Sequence, residues 1–434
     1  MLDAIGAPSL DALFETIPEK LRLGRPLLLP PALSEQEVLQ ALSRLSARNA
    51  NLDSHAWFLG AGTYPHFLPS AVDALISRAE FMTAYTPYQP EISQGTLQAI
   101  FEWQTMICAL TGLEVANASL YDGASATAEA VLMALRVTQR RKVVASAALH
   151  PNYRDVVKSY LGGLDVEWLQ APRGADGRTA ELAGLVDRDT ACVLLQQPNF
   201  LGCIEDVAAA AREAHAVAAA LVVSVNEALS LALLEAPGSQ GADIVCGEAQ
   251  SFGVPMSLGG PHLGFLAARE KQVRQLPGRL VGETRDSRGK RGFVLTLATR
   301  EQHIRREKAT SNICTNQGLC LLMATIYLSL LGPQGLRRLA EINLAKAEYL
   351  KRRVRESAGL GLPLSAAGFN ECVVSVPDSG ERALARALEG GAVGGLDLAA
   401  SHPELGPAVL VCATELVSRS QIDALVGALA GAAR

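Results

Sequence analysis

Several common features are missing from this sequence of 434 residues, and each absence excludes a class of protein. The net charge is -5, which gives no basic footprint and argues against nucleic acid as a main partner. The cysteines and histidines show no Cys-x-x-Cys or His-x-x-x-His spacing, so the sequence predicts no metal site. The eight cysteines are scattered through apolar runs, so disulfides are not expected and the cytosol is the expected compartment.

Segments that direct a chain to a membrane are also missing. Residues 1–16 include Asp3, Asp11 and Glu15 and lack an apolar core, so no signal peptide is expected. The longest apolar stretch, Leu319 to Leu331, is too short to span a bilayer and predicts a buried helix. No membrane partner is therefore expected.

The order of predicted elements divides the chain into three parts. Residues 1–84 form an N-terminal extension, in which a capping box at Ser34 to Glu37 opens a helix. Residues 85–332 alternate long helices with short apolar strands, which predicts a large α/β domain with a mostly parallel sheet. Residues 333–434 are predicted to form a smaller C-terminal α+β domain. Within the large domain, the polar segment 282–292 is expected to be disordered.

Lysine is scarce, and its absence at one position is the most informative feature of the sequence. Gln250 follows a buried strand, at the kind of strand end where pyridoxal-phosphate enzymes of the aspartate-aminotransferase type carry their cofactor-binding lysine. An amide cannot form an imine with an aldehyde, so the covalent nucleophile is missing. Asn226 follows the preceding strand and is neutral where those enzymes place an aspartate against the pyridine nitrogen. The eight lysines are Lys20, Lys142, Lys158, Lys271, Lys290, Lys308, Lys346 and Lys351.

Other parts of such a site survive only as remnants. Ser125 lies in a run of small residues at a helix start, where exposed backbone N–H groups suit a phosphate. His150 follows a strand, from which an imidazole can stack on a planar ring. An ordinary helix start and a hydrogen-bonded loop histidine are the structural alternatives.

Two further segments are unusually polar. Residues 85–95 combine tyrosines, amides and a carboxylate with prolines that restrict the loop, so the polar tips can point at a ligand or at a second chain. Residues 300–317 include Arg300, Arg305, Asn312, Thr315 and Asn316, which suit an anion or a chain interface. A helix entry and an exposed loop are the alternatives. Lys308, in the second segment, is the only lysine beside a distinctive motif.

Together these segments resemble the P-protein of the glycine cleavage system, in its N-terminal or alpha half. The matching segments are FETIPEKLRL (14–23), FLGAGTYPHFLPSAV (58–72), YTPYQPEISQGTLQAIFEWQTMICALTG (85–112), VANASLYDGASA (115–126), SLGGPHLGF (257–265) and REKATSNICTNQ (306–317). The resemblance runs nearly end to end. In this family two related halves occur either as one chain or as separate subunits, and this chain resembles the separate alpha subunit.

The resemblance implies a fold-type-I pyridoxal-phosphate architecture in which the beta subunit carries the lysine. It implies an enzyme, glycine dehydrogenase (decarboxylating), that binds glycine through pyridoxal phosphate and releases CO2. The aminomethyl group then passes to the lipoyl group of the H-protein. This chain is expected to be inactive alone, to hold no cofactor itself, and to complete the active site and the assembly of the beta subunit in a dimer of alpha–beta pairs.

The same resemblance supplies candidates for residues that reach the beta subunit's site. They are Tyr85, Tyr88, Gln89, Glu91, Gln94, Gly259, Gly260, His262, Asn312 and Thr315, followed by Tyr64 and His66. Two alternatives remain open at this point. One is a non-catalytic scaffold or regulatory subunit, and the other is a self-sufficient pyridoxal-phosphate enzyme that uses an atypical lysine such as Lys308.

Overall fold

The computed structural model describes residues 1–82, 86–257 and 259–431. Contacts divide the chain into two units, residues 1–50 and residues 51–434. The first unit contains helices α1 (Leu2–Ile5) and α2 (Glu35–Ser46) and builds no buried core of its own. The predicted capping box is confirmed: the Ser34 N–H donates to the Glu37 carboxylate at 2.8 Å, and the Glu37 N–H donates to the Ser34 hydroxyl at 3.4 Å.

A seven-stranded sheet organises the second unit. The chain enters it through β1 (Ala56–Trp57) and α3 (Ser70–Ile76). The elements of the sheet layer follow in chain order: α4 (Gln94–Thr111), β2 (Val115–Ala116), α5 (Gly123–Thr138), β3 (Lys142–Ser146), α6 (Pro151–Leu161), β4 (Glu167–Ala171), β5 (Thr190–Gln196), α7 (Val207–Ala216), β6 (Ala220–Val225), β7 (Ile244–Glu248) and β8 (Gly264–Ala268). The strand order is β2-β8-β7-β6-β5-β3-β4, with β8 antiparallel to both of its neighbours.

Helices cover both faces of this sheet because its strands are apolar on both sides. In β6, Leu221 and Val223 point into one hydrophobic cluster, and Val222 points into the other. The parallel strands β3, β5 and β6 are fully buried, which explains their continuous apolar runs in the sequence. The carboxyl ends of β5, β6 and β7 meet at one edge, which is where ligands bind in α/β sheets of this kind.

A hairpin and a long helix complete the large part of the unit. The hairpin consists of β9 (Leu280–Arg285) and β10 (Arg291–Thr296), and the short helix α8 (Gln302–Arg305) follows it. The expectation that residues 282–292 are disordered was wrong. Asp286 accepts from the Arg288 and Lys290 N–H groups, each at 2.8 Å, and so organises the turn between the two strands. Helix α9 (Gly318–Arg355) breaks at Gly332 (φ 59°, ψ -179°), beside the predicted change of pattern at residue 333.

The C-terminal elements form a small sheet flanked by helices. They are β11 (Glu371–Ser375), α10 (Gly380–Glu389), β12 (Ala392–Val393), β13 (Leu396–Asp397), β14 (Ala408–Cys412) and α11 (Arg419–Leu429). The strand order β11-β14-β13 is antiparallel, and the separate β12 pairs with β1. Part of the predicted N-terminal extension therefore belongs structurally with the C-terminal elements. The chain continues from β1 into the cleft between the two sheets.

Candidate functional site

The cleft at the carboxyl ends of β6 and β7 is filled by residues 60–67, which we call the inner loop. Gln250 is 3 % exposed, and its side chain is bonded to this loop. Its Oε1 accepts from the Tyr64 N–H at 2.9 Å, and its Nε2 donates to the Tyr64 carbonyl at 3.0 Å and to the Val254 carbonyl at 2.8 Å. The amide therefore binds both the N–H and the carbonyl of Tyr64, an arrangement that we call the clasp. A lysine, which is only a donor, cannot accept from the Tyr64 N–H.

A buried carboxylate occupies the start of helix α5. Glu248 Oε2 accepts from the Gly123 N–H at 2.9 Å, and its Oε1 accepts from the Gln250 N–H at 3.0 Å and the Leu263 N–H at 2.8 Å. Asp122 caps the same helix by accepting from the Ser125 N–H at 2.6 Å. The helix end that sequence reasoning offered to a phosphate thus already holds two carboxylates. A further anion would meet like charge there.

His150 and Asn226 also face the inner loop. The His150 Nε2 lies 2.9 Å from the Ala61 carbonyl, and its Nδ1 accepts from the Asn152 N–H at 3.1 Å. The neutral tautomer with hydrogen on Nε2 satisfies both contacts, and burial lowers the pKa of His150 accordingly. A Cβ added at Gly62 would lie 3.0 Å from His150 Nε2 and 3.9 Å from Asn226 Nδ2. Backbone therefore packs where a ring stacked on His150 would have to lie.

His66 of the inner loop is held between two carboxylates. Its Nδ1 lies 2.9 Å from Glu415 and its Nε2 lies 3.4 Å from Glu227. Burial opposes the charged imidazole, but the two carboxylates outweigh it and raise the pKa of His66 to about 10. Asn343 of α9 donates to Glu415 at 3.0 Å, and Asn370 donates to Glu227 at 3.0 Å. The imidazolium therefore links the central sheet to the C-terminal elements.

Tyr64 makes a second link from the same loop. Its hydroxyl donates to Glu371 Oε2 at 2.8 Å, and the Ala61 N–H donates to Glu371 Oε1 at 2.7 Å. Burial raises the pKa of Glu371 to about 7. We call the group around the inner loop, consisting of Tyr64, His66, Glu227, Glu248, Gln250, Glu371 and Glu415, the inner cluster.

The inner cluster does not fit pyridoxal phosphate. Gln250 offers no amine, the N-terminus of α5 is bonded to carboxylates, and the inner loop contacts His150. Asn226 is neutral; its Oδ1 accepts from the Ser224 hydroxyl at 3.3 Å, and its buried Nδ2 has no hydrogen-bond partner among the described residues. Gln250, the start of α5 and His150 are thus each engaged by contacts within the chain.

A second polar group lies at the surface. Tyr88 is 54 % exposed, and its hydroxyl accepts from Arg279 Nη2 at 3.1 Å. The same guanidinium donates to the Cys314 carbonyl at 2.6 Å, to Thr315 Oγ1 at 3.4 Å and to Asn316 Oδ1 at 3.3 Å. We call Tyr88, Arg279, Thr315 and Asn316 the outer cluster. It joins the two polar segments that the sequence singled out separately.

The remaining predicted site residues are either exposed at the surface or hydrogen-bonded within the fold. Gln89, Glu91 and Asn312 are exposed beside the outer cluster in sequence. Gln94 pairs with backbone of β10: its Oε1 accepts from the Phe293 N–H at 2.8 Å, and its Nε2 donates to the Phe293 carbonyl at 2.8 Å. Tyr85 lies outside the described residues.

The glycine-rich loop after β7 contacts the inner cluster through Glu248. Gly259 and Gly260 have φ of 102° and 109°, which favours glycine at both positions. His262 Nδ1 lies 3.5 Å from Glu248, which raises the pKa of His262. Since Glu248 also binds the start of α5, His262 connects the surface to the inner cluster.

Sequence reasoning missed five residues of these clusters: Glu227, Glu248, Glu371, Glu415 and Arg279. Glu248 and Glu371 had a detectable signal, because each is a carboxylate at the end of an otherwise apolar strand. Arg279 had none, since it follows a turn and looks like an ordinary surface arginine until its 4 % exposure is known.

Comparisons with known proteins identify the family of the chain. The family profile described as "Glycine cleavage system P-protein" matches residues 1–429. A protein of Anaeromyxobacter dehalogenans named "Probable glycine dehydrogenase (decarboxylating) subunit 1" is 55 % identical, over 99 % of this chain and 97 % of its own length. One of the same name from Desulforamulus reducens is 50 % identical, over 99 % of this chain and 96 % of its own length.

Solved structures confirm the predicted fold class. A crystal structure of glycine decarboxylase (P-protein) of the glycine cleavage system, in inhibitor-bound form, matches with a TM-score of 0.92 and 45 % identity, covering 99 % of this chain and 96 % of that one. Sphingosine-1-phosphate lyase from Burkholderia pseudomallei matches at a TM-score of 0.66 and 16 % identity, covering 95 % of this chain and 94 % of that one, and supports the fold alone. The architecture is that of fold-type-I pyridoxal-phosphate enzymes, and the chain belongs to the glycine cleavage system P-protein family.

Proposed function

We propose that this chain is the alpha subunit of a two-subunit glycine decarboxylase, inactive alone and required by a lysine-bearing second subunit. The observation that carries the proposal is the clasp of Gln250 on Tyr64, which closes this chain's own cleft with an amide where a nucleophile is needed. The names of the relatives support a second subunit, since they describe a subunit 1. Pyridoxal phosphate, when bound by the second subunit, supplies the electron sink for loss of CO2 from glycine.

The two clusters have different roles in this proposal. The inner cluster keeps the cleft of this chain closed and holds the central sheet against the C-terminal elements. The outer cluster, with Gln89, Glu91, Asn312, Gly259, Gly260 and His262, presents polar tips to the site of the second subunit, where they exclude water and orient glycine or the cofactor. Gln94 contributes by fixing the start of α4 to β10. Tyr64 and His66 act within this chain, because their side chains are bonded inside it.

The wider assignments follow from the same proposal. The aminomethyl group left after decarboxylation passes to the lipoyl group of the H-protein, and the assembly is a dimer of alpha–beta pairs. We place the complex in the cytosol. In agreement with that compartment, all eight cysteines lie within the described residues and are free thiols.

The test begins with the purified chain alone. We expect that adding pyridoxal phosphate and then borohydride leaves no reduced pyridoxyl-lysine on this chain, and that it releases no CO2 from carboxyl-labelled glycine. Adding the second subunit and lipoylated H-protein is expected to restore CO2 release, with the reduced adduct found only on the second subunit. An adduct on a specific lysine of this chain would overturn the proposal.

The alternatives make different predictions in this experiment. A self-sufficient enzyme using Lys308 would show an adduct there; Lys308 is exposed in a turn after α8, and the cleft is closed by the inner loop. A pure scaffold would tolerate truncation of Glu91 and Asn312 without loss of rate. The exposure of several polar tips on two joined segments favours the shared-site proposal over the scaffold.

A further inference from the structure

Arg279 is the buried member of the outer cluster, and its guanidinium contacts both polar segments. It lies at the start of the hairpin and is 4 % exposed. Its backbone is fixed, because the Ala118 N–H donates to the Arg279 carbonyl at 2.9 Å. The side chain therefore extends from a fixed backbone position, and its guanidinium lies beneath the segments 86–95 and 312–317.

The donors of Arg279 are divided between those two segments. Nη2 donates to the Tyr88 hydroxyl at 3.1 Å and to the Cys314 carbonyl at 2.6 Å. Nη1 donates to the side chains of Thr315 and Asn316 at 3.4 Å and 3.3 Å. The guanidinium carbon also lies 5.3 Å from the centre of the Tyr88 ring. One rigid planar group thus sets the distance between a tyrosine on the first segment and three consecutive residues on the second.

The charge of this buried guanidinium is balanced locally. Its Nε lies 3.6 Å from the carboxylate of Glu301, which is 11 % exposed. Asn316 is in turn tied to the scaffold, since its Nδ2 donates to the Ala118 carbonyl at 2.9 Å. Lysine has three donors on a single flexible tip, so it cannot reproduce four bonds that diverge in one plane.

We propose that Arg279 is the positioning residue of the shared active site. It holds Tyr88 and residues 314–316 in the arrangement that the second subunit requires, without itself touching substrate. This inference rests on the proposed function of the chain. It adds a residue and a role that the surface segments alone do not show, because its side chain is hidden beneath them.

The test uses the full-length chain mixed with the second subunit and lipoylated H-protein, and measures CO2 release from labelled glycine. We expect Arg279→Lys to lower kcat by about tenfold or more, because small displacements of positioning groups cost rate steeply. The apparent KM for glycine should change less than kcat. The matched control is Arg140→Lys, whose guanidinium donates to the Thr190 and Val217 carbonyls at the opposite edge of the sheet. It is expected to leave kcat within twofold of wild type.

A second variant keeps the proposal testable if Arg279→Lys does not fold. Tyr88→Phe keeps the ring and removes only the hydroxyl that accepts from Arg279, so we expect a fall in kcat of about threefold with normal folding. Combining the two substitutions should lower kcat no further than Arg279→Lys alone, because both act on the same contact.

The outcomes distinguish a failure of the proposed function from a failure of the role assigned to Arg279. An inactive wild-type mixture would count against the proposed function. An active wild-type mixture in which Arg279→Lys retains kcat within twofold would overturn the role of Arg279 alone, as would an unchanged kcat for Tyr88→Phe when Arg279→Lys is unfolded.

Discussion

The inner and outer clusters contain similar residue types and differ in the exposure of the groups that are hydrogen-bonded. In the inner cluster, the bonded side chains of Gln250, Tyr64 and His66 are themselves buried. In the outer cluster, Arg279 is buried but the groups it orients are at the surface. The difference teaches that a site can lose its chemistry by satisfying its own polar groups. A neighbouring surface can still be built to support chemistry elsewhere.

The comparison predicts that inner substitutions damage folding and that outer substitutions damage only the activity of the complex. The largest expected effect is that of His66→Leu, which leaves the buried carboxylates of Glu227 and Glu415 without their cation. We expect the free energy of unfolding to fall by about 3–5 kcal/mol, measured by urea denaturation. The control His215→Leu removes a histidine that is 46 % exposed beside Asp243 and should cost less than about 1 kcal/mol. Equal losses for the two variants would contradict the distinction.

Gln250→Lys sharpens the comparison by restoring the residue type that the site lacks. We expect it to lower the free energy of unfolding by about 1–3 kcal/mol, since the Tyr64 N–H loses its acceptor. We also expect no borohydride-reducible adduct with pyridoxal phosphate, because Glu248 still occupies the start of α5. The exposed substitution Gln98→Lys serves as the control for stability. An adduct with the lysine introduced at position 250 would show that the amide is the obstacle to covalent binding of the cofactor in the cleft.

The pH dependence of stability should reflect the inner cluster. Burial raises the pKa of Glu371 to about 7 and the two carboxylates raise that of His66 to about 10, so the folded state binds these protons more tightly than the unfolded chain. Their stabilising contribution is therefore complete at low pH and is lost as pH rises through about 4.5–7 for Glu371 and 6.5–10 for His66.

Glu371→Gln isolates the first of these contributions. The Tm of the variant minus that of wild type should increase between about pH 5 and pH 7 and stay constant above that. The corresponding change in the relative free energy of unfolding is roughly 1–3 kcal/mol. A difference in Tm that is the same at every pH would show that Glu371 titrates normally. The outer substitution Glu91→Ala should leave this pH profile unchanged.

The smallest effect on stability is expected for the outer surface itself. Glu91→Ala and Asn312→Ala should change the free energy of unfolding by less than about 0.5 kcal/mol, because both residues are exposed. Each should nevertheless lower the rate of CO2 release by the complex severalfold. The exposed control Glu167→Ala, at the start of the edge strand β4, should change neither quantity. Unchanged rates for both outer variants would remove them from the proposed shared site.

Much of the fold could be predicted from local sequence because its signals are local. The capping residues Ser34 and Ser418 mark the starts of α2 and α11, and Gly112 ends α4 with φ 70°. The strands β5, β6 and β7 are visible in the sequence as short apolar runs. The hairpin 280–296 was missed because its strands carry no regular apolar alternation.

The sequence by itself determined that an amide, Gln250, follows the buried strand β7, since this residue is read directly. It also carried the segments that place the chain in its family. Only the tertiary structure decided what replaces the missing chemistry. Gln250 meets Tyr64 across 186 positions of sequence, and Arg279 meets Tyr88 across 191. No local pattern encodes such pairings, because they depend on how the sheet, the inner loop and the surface segments pack together.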